Sequence, residues 1–218
     1  MERTIRVTGR GILSIAPDQI RLELQTGGVS ETYEGAMRRM SELTEELQAA
    51  LAAVGFAKDA LKTSRMGVEE RREGYQDEKG VWRDRFVGYE CAHQTSLEFP
   101  RDNALLGKTL TALAKCEAKP AVSIRYTVRD PEGVKNELLG RAVADAAEKA
   151  RQLSAAAGVA LGEVLSIDYS WGRIDLLSRT ERTVKLAAAA GASNALSFDV
   201  SPEDIRLEDT VTVLWAIG

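Results

Sequence analysis

A single imidazole, two distant thiols and a scatter of carboxylates are the groups in this chain with chemistry to offer. His93 is the only histidine, so any mechanism that needs an imidazole base must use it. Counting along its strand puts it on the same face as Tyr89, Cys91 and Leu97. No nearby acid and nucleophile pair completes a triad, and it reads as a packed or hydrogen-bonded histidine. Cys91 and Cys116 lie far apart without CxxC spacing, a pattern that supports neither a metal knuckle nor a redox motif and does not indicate a disulfide. Gly9-Arg10-Gly11 imitates part of a phosphate loop but sits inside a strand and opens no helix, whereas a dinucleotide fingerprint needs its glycines at a strand-to-helix turn. A strand bulge is the expectation there. Asp168, Asp175 and Glu181 supply acids near Trp171. A glycosidase would need two carboxylates on either side of a substrate bond, and nothing in the spacing fixes such a pair, so they read as acidic surface. The residues predict no catalytic, cofactor or metal site.

One other constellation has the makings of a site. The run Glu69-Glu70-Arg71-Arg72-Glu73 and the run Arg83-Asp84-Arg85 fall on the two arms of a long hairpin, where they read as a solvated face with cross-strand charge pairs. Tyr75, Trp82 and Phe86 lie among these charges and would expose aromatic surface on a projecting arm. These three are the candidate interface residues, for a homo-oligomer or a protein partner.

The bulk properties narrow the classes of partner. The chain has 218 residues, 44% hydrophobic and 28% charged, with a formal net charge of -4. That composition is ordinary for a globular protein, and one domain over 1–218 is the prior. The acidic balance leaves no basic face for nucleic acid. No window reaches the roughly 18 apolar residues of a membrane span. The first residues enter a strand pattern directly, with no apolar leader, so the sequence as it stands predicts a cytoplasmic protein, or an exported one if a leader precedes it.

The elements that would position these residues follow from periodicity. Ile5, Val7, Leu13 and Ile15 alternate with polar residues, a Pro17-Asp18 turn follows, and Ile20, Leu22 and Leu24 resume the alternation, which predicts a hairpin. From Thr32, Tyr33, Met37, Met40, Leu43, Leu47, Leu51 and Val54 recur at helical spacing, with Gly55 as the stop. Leu61 to Phe99 is the long hairpin, turning at Asp77-Glu78-Lys79-Gly80. Asp102 caps a short helix carrying Leu106, Leu110 and Leu113. Val122 to Val128 alternate as a strand, and Asp130-Pro131-Glu132 starts a long helix that runs to Gly158. Leu165, Ile167, Tyr169 and Trp171 form the next strand, and Val211 to Ile217 the last. Between these two, Gly172 to Glu203, including Ala187 to Ser193, reads as a loop. The order is ββαββ followed by αβαββ, an α+β protein with two long helices and a short one on mostly antiparallel sheet.

In this arrangement the chain resembles the SIMPL-domain family, which includes bacterial periplasmic stress-related and immunogenic proteins and a signalling adaptor associated with a Pelle-like kinase. The likeness is carried by Ile5 to Gly11 with Ala16-Pro17-Asp18, by Ser123 to Asp130, and by Ala142 to Ala150 continuing through Ala155-Ala156-Ala157-Gly158-Val159 to Val164. The resemblance implies an α+β fold, a tendency in some members to form rings or channel-like oligomers, and a link to oxidative stress or signalling. It carries over no catalytic residues. The leading expectation is a non-catalytic protein that works by self-assembly or protein binding. Two alternatives stand beside it: a monomeric signalling adaptor that uses the loop from Gly172 to Glu203, and a hydrolase using surface carboxylates.

Overall fold

The computed structural model describes residues 3–170, 174–185 and 200–218. Among them are eight strands and three α-helices, confirming the α+β class: β1 (Thr4–Ile15), β2 (Gln19–Ser30), α1 (Tyr33–Ala52), a 3-10 turn (Lys58–Ala60), β3 (Leu61–Gln76), β4 (Trp82–Pro100), α2 (Asn103–Lys115), β5 (Ala121–Thr127), α3 (Pro131–Ala156), β6 (Leu161–Asp168), β7 (Glu181–Lys185) and β8 (Ile205–Ile217). The chain weaves between two compact units. The first comprises 1–18, 127–179 and 202–218; the second comprises 19–126 and 180–201.

In the first unit, β1, β8 and β6 form a three-stranded antiparallel sheet in that order. Helix α3 lays a stripe of Val134, Leu138, Ala142, Ala146, Ala150 and Ser154 on this sheet. Its start is fixed locally: the Asp130 side chain accepts from the Gly133 amide at 2.9 Å and Pro131 occupies the first turn, where its missing N–H costs nothing. Asp130→Ala is expected to cost about 1 kcal/mol, read as a lower urea midpoint at unchanged slope.

The Gly9-Arg10-Gly11 segment corrects the expected bulge. Strand β1 pairs with β8 residue for residue from Thr4 to Ile15, with no break in register. The glycines instead make room for α3. A Cβ on Gly9 would overlap the Ala142 carbonyl oxygen and the Ala146 amide, and one on Gly11 would overlap the Leu138 carbonyl. That close approach lets α3 cover the free edge of β1. The Arg10 amide donates to the Asp145 carboxylate at 2.7 Å, and the Arg141 guanidinium donates to the Ile12 carbonyl at 3.1 Å. These two contacts occupy backbone groups at the middle of the β1 edge and hinder strand addition there.

In the second unit the sheet order is β3-β4-β2-β5-β7. Ile20, Leu22, Leu24, Leu97, Phe99, Val122, Ile124 and Tyr126 from the sheet meet Leu47 and Leu51 of α1 and Leu106, Leu110 and Leu113 of α2 in one buried cluster. The predicted β1–β2 hairpin does not form: β1 pairs with β8 and β2 with β4. The Pro17-Asp18 segment is used as a crossing point, where Asp18 accepts from the Arg129 amide at 2.8 Å and its own amide donates to the Thr127 carbonyl. A second correction is β7, which falls in the stretch expected to be a loop. It pairs antiparallel with β5, Val122 opposite Val184 and Arg125 opposite Glu181. The element order is therefore ββαββ followed by αβαβββ. A five-residue edge strand with charged residues at three positions has too little alternation to show in sequence. Trp171 and the run Ala187 to Ser193 lie outside the described residues.

Candidate functional site

The long hairpin of β3 and β4 is positioned by the end of its neighbour. Strand β2 accompanies β4 only as far as Ser30 opposite Tyr89, so beyond that point β3 and β4 pair with each other alone. At the departure point Arg71 is opposite Gly88 and Arg72 opposite Phe86, leaving Val87 as a bulge. Gly88 has φ +141, and a Cβ there would press on the Ser30 carbonyl oxygen. The bulge adds local twist and re-aims the arm. At the tip, Asp77 Oδ1 accepts from the amides of Lys79 and Val81, its Oδ2 takes the Arg83 guanidinium at 2.6 Å, and Gly80 adopts φ +77. The Arg83 guanidinium, with the Val81 amide next in effect, holds the Asp77 carboxyl below its ordinary range.

Register sorts the three candidate residues. Gln76 faces Trp82, Tyr75 faces Arg83 and Glu73 faces Arg85, so period-two alternation puts Trp82 and Phe86 on one face of the ribbon and Tyr75 on the other. Trp82 is the most exposed large apolar side chain among the described residues, at 70%, with Phe86 at 49% and Tyr75 at 41%. Trp82 lies over Gly74, its ring within 3.8 Å of where a Cβ would stand. Tyr75 is stacked by Arg85, whose guanidinium carbon is 5.9 Å from the ring centroid. The charge run is a set of exposed pairs, two across the strands, Glu73 with Arg85 and Arg71 with Glu90, and two along β3, Arg71 with Glu73 and Arg72 with Glu70.

The structure adds residues to the aromatic face that the spacing did not single out. Phe86 meets Tyr89 edge-on at 5.3 Å, and Tyr89 meets Tyr33 of α1 edge-on at 5.8 Å. Tyr33 and Met37, which helical spacing puts in one stripe with Met40, Leu43 and Leu47, are exposed. Ala36 takes the core position. The signal was present in the one-residue offset between Ala36 and Met37, which a stripe drawn through large residues alone overlooks. Aromatic rings therefore lie from the root of the arm, at Tyr33 and Tyr89, to Phe86, with Trp82 farther out on the same face beyond Asp84.

The other candidates are accounted for structurally. His93 is buried between Thr44 Oγ1 at 2.9 Å from Nδ1 and Thr63 Oγ1 at 2.9 Å from Nε2. Burial pushes its pKa below the usual imidazole value. Both cysteines are free thiols, Cys91 buried and Cys116 half-buried, and burial raises the Cys116 thiol. Glu181 is engaged with Ser123 and Arg125 in the second unit. Asp168 and Asp175 belong to the first unit, where Asp168 stands opposite Thr212 on β8 and Asp175 accepts from the Leu177 amide. Among the described residues no group of three His, Cys, Asp or Glu side chains has metal-site geometry, and no helix is long and apolar enough to cross a membrane.

The described residues thus form an α+β chain of two sheet-and-helix units with exposed aromatic rings on the β3–β4 ribbon. Its sequence matches the family model for SIMPL, a protein of unknown function (DUF541), over residues 5–215. The chain belongs to the SIMPL family. It is similar to the 26 kDa periplasmic immunogenic proteins of Brucella melitensis biotype 1 and Brucella abortus strain S19, at 28% identity over 163 residues in each case. Each match covers 75% of this chain and 65% of the relative, so the chain spans just under two thirds of the relatives it matches.

Proposed function

We propose that this protein is non-catalytic and acts by associating with protein, either further copies of itself or another chain, through the Trp82 and Phe86 face of its hairpin. The observation that carries this reading is the exposure of that face on an arm the neighbouring strand β2 does not reach. Large aromatic side chains left in water are the residues that dominate interface energies when a partner covers them. Alternating acids and bases along both arms leave the ribbon without a strong net field, which favours a contact with an apolar centre and a polar rim. The periplasmic relatives favour an exported setting, and the stress link implied by the resemblance fits such a setting.

The test is solution mass by light scattering. Trp82→Ala with Phe86→Ala is expected to weaken association by about 2 kcal/mol for each ring, the scale of interface hot spots, with the circular dichroism spectrum unchanged. Tyr75→Ala is expected to do less, since it lies on the opposite face beneath Arg85. The reading fails if the double variant keeps every assembly state of the parent and captures the same partner.

A further inference from the structure

Before it enters the arm, β3 is the edge of the sheet in the second unit. The strand is 16 residues long and contains no proline, and among the described residues no other strand pairs with its outer side. An edge of this kind offers a row of backbone donors and acceptors to a further strand.

The side chains near its start are left without partners. Arg65 and Glu69 are both exposed and stand on one face of the strand, with Gly67 between them. Among the described residues neither side chain enters an ion pair or hydrogen bond. Within the chain Glu69 stands opposite Glu90, acid beside acid, and Arg65 stands opposite the uncharged Gln94. On the other face Met66 is exposed, and Val68 is half-buried against Ala36, Met40 and Cys91.

We propose that β3 pairs antiparallel with β3 of a second copy about a two-fold axis through Gly67, joining two five-stranded sheets edge to edge. Directly opposed residues share a face, so in the regular stretch that follows the extra residue Ser64 the axis must pass through a residue. Centres at Glu69, Glu70, Arg71, Arg72 and Glu73 would each set a charge against its own copy, and one at Val68 would set Arg65 against Arg71. A centre at Met66 runs into Ser64, and centres from Gly74 outward bring no opposite charges together within the strand. With Gly67 at the axis, Arg65 meets Glu69 of the second copy, twice by symmetry, and Met66 meets Val68 twice on the other face. The flanking charges do not oppose this register. Glu70 and Arg71 already have partners in Arg72 and in Glu73 and Glu90, while Lys62 lies beyond Ser64, where the regular pairing ends. The contact is separate from the Trp82 and Phe86 face and needs only the start of β3.

The experiment uses the full chain carrying Trp82→Ala and Phe86→Ala, so that association through the aromatic face is removed. This protein is expected to have twice the monomer mass by light scattering. Adding Arg65→Glu or Glu69→Arg sets like charges opposite each other twice and should raise the dissociation constant about 10-fold or more. Combining both reversals in one chain should restore it. Gly67→Cys reads the register, because nothing lies within 4 Å of a Cβ at that position. Opposed residues of an antiparallel ladder have Cα atoms about 4.5–5.5 Å apart, within disulfide reach. With Cys116→Ser in the same chain, and Cys91 buried, mild oxidation should link two copies through residue 67. A monomer before any reversal, a dimer indifferent to the single reversals, a double reversal as weak as the singles, or a Gly67→Cys chain that does not cross-link each overturns the proposal. The hairpin reading fails by a different result: the parent and the Trp82/Phe86 variant having the same mass and partners.

Discussion

Replacing Gly9 by alanine is expected to lower stability by about 3 kcal/mol, the upper part of the range for forcing an extra carbon into a packed interior. The sign makes the result informative. In an ordinary strand, glycine to alanine is mildly favourable, because glycine loses more conformational freedom on folding and packs no side chain. Here the added methyl would meet the Ala142 carbonyl oxygen and the Ala146 amide nitrogen of α3. These are backbone atoms, and they move only if the helix moves. Lifting α3 would draw Asp145 from the Arg10 amide and Arg141 from the Ile12 carbonyl, reopening the β1 edge to solvent and to other strands. Gly140→Ala is the control, since nothing lies within 4 Å of a Cβ at that position. It sits within α3 and should gain about 0.8 kcal/mol from helix propensity. Urea unfolding of the two variants beside the parent decides the matter. Equal, small changes would mean that the glycines do not set the approach of α3.

How far the sequence revealed the fold turns on where each interaction partner lies along the chain. Local signals read true: the Asp102 and Asp130 caps both accept amide hydrogen bonds from the first turn of their helices, and the Asp77 to Gly80 turn closes as its residue types predict. Alternation from Cys91 to Phe99 gave the buried face of β4 correctly. Pairing was a different matter. The partner of β1 is β8, about 200 residues away in the chain, and period-two alternation shows which face of a strand is buried without naming its neighbour. The two glycines of β1 were visible, but their reason lay in α3, more than 120 residues downstream. The candidate site divided in the same way. Exposed aromatic residues on a charged arm could be seen in the sequence, while their sorting onto two faces depended on the register between Gln76 and Trp82. The rings of Tyr33 and Tyr89 entered the surface only once α1 was placed beside β4.

His93→Ala is expected to cost about 3 kcal/mol, because it opens a cavity and strands two hydroxyl partners at once. The hydrogen bonds also fix the proton. Thr44 Oγ1 donates to the Met40 carbonyl at 2.8 Å, so toward His93 it can only accept. Nδ1 therefore carries the hydrogen, and Nε2 accepts from the Thr63 hydroxyl. A neutral ring satisfies every partner in this site; a protonated one would turn a second N–H toward Thr63 while losing its hydration. Burial accordingly lowers the folded pKa below the unfolded value of about 6.5. The sign of the pH dependence follows. As pH falls through about 6.5, the unfolded chain binds a proton that the folded chain refuses, so stability drops by up to about 1.4 kcal/mol per pH unit until the lower folded pKa is reached. Because this is the only histidine, no other imbalance of imidazole titration can mask it. In urea melts between pH 7.5 and 5, taken as order-of-magnitude bounds for a histidine window, the parent should lose stability steadily and His93→Gln should be nearly flat. A parent that is flat over this range, or a variant that keeps the slope, would show that the imidazole is not held neutral between α1 and β3.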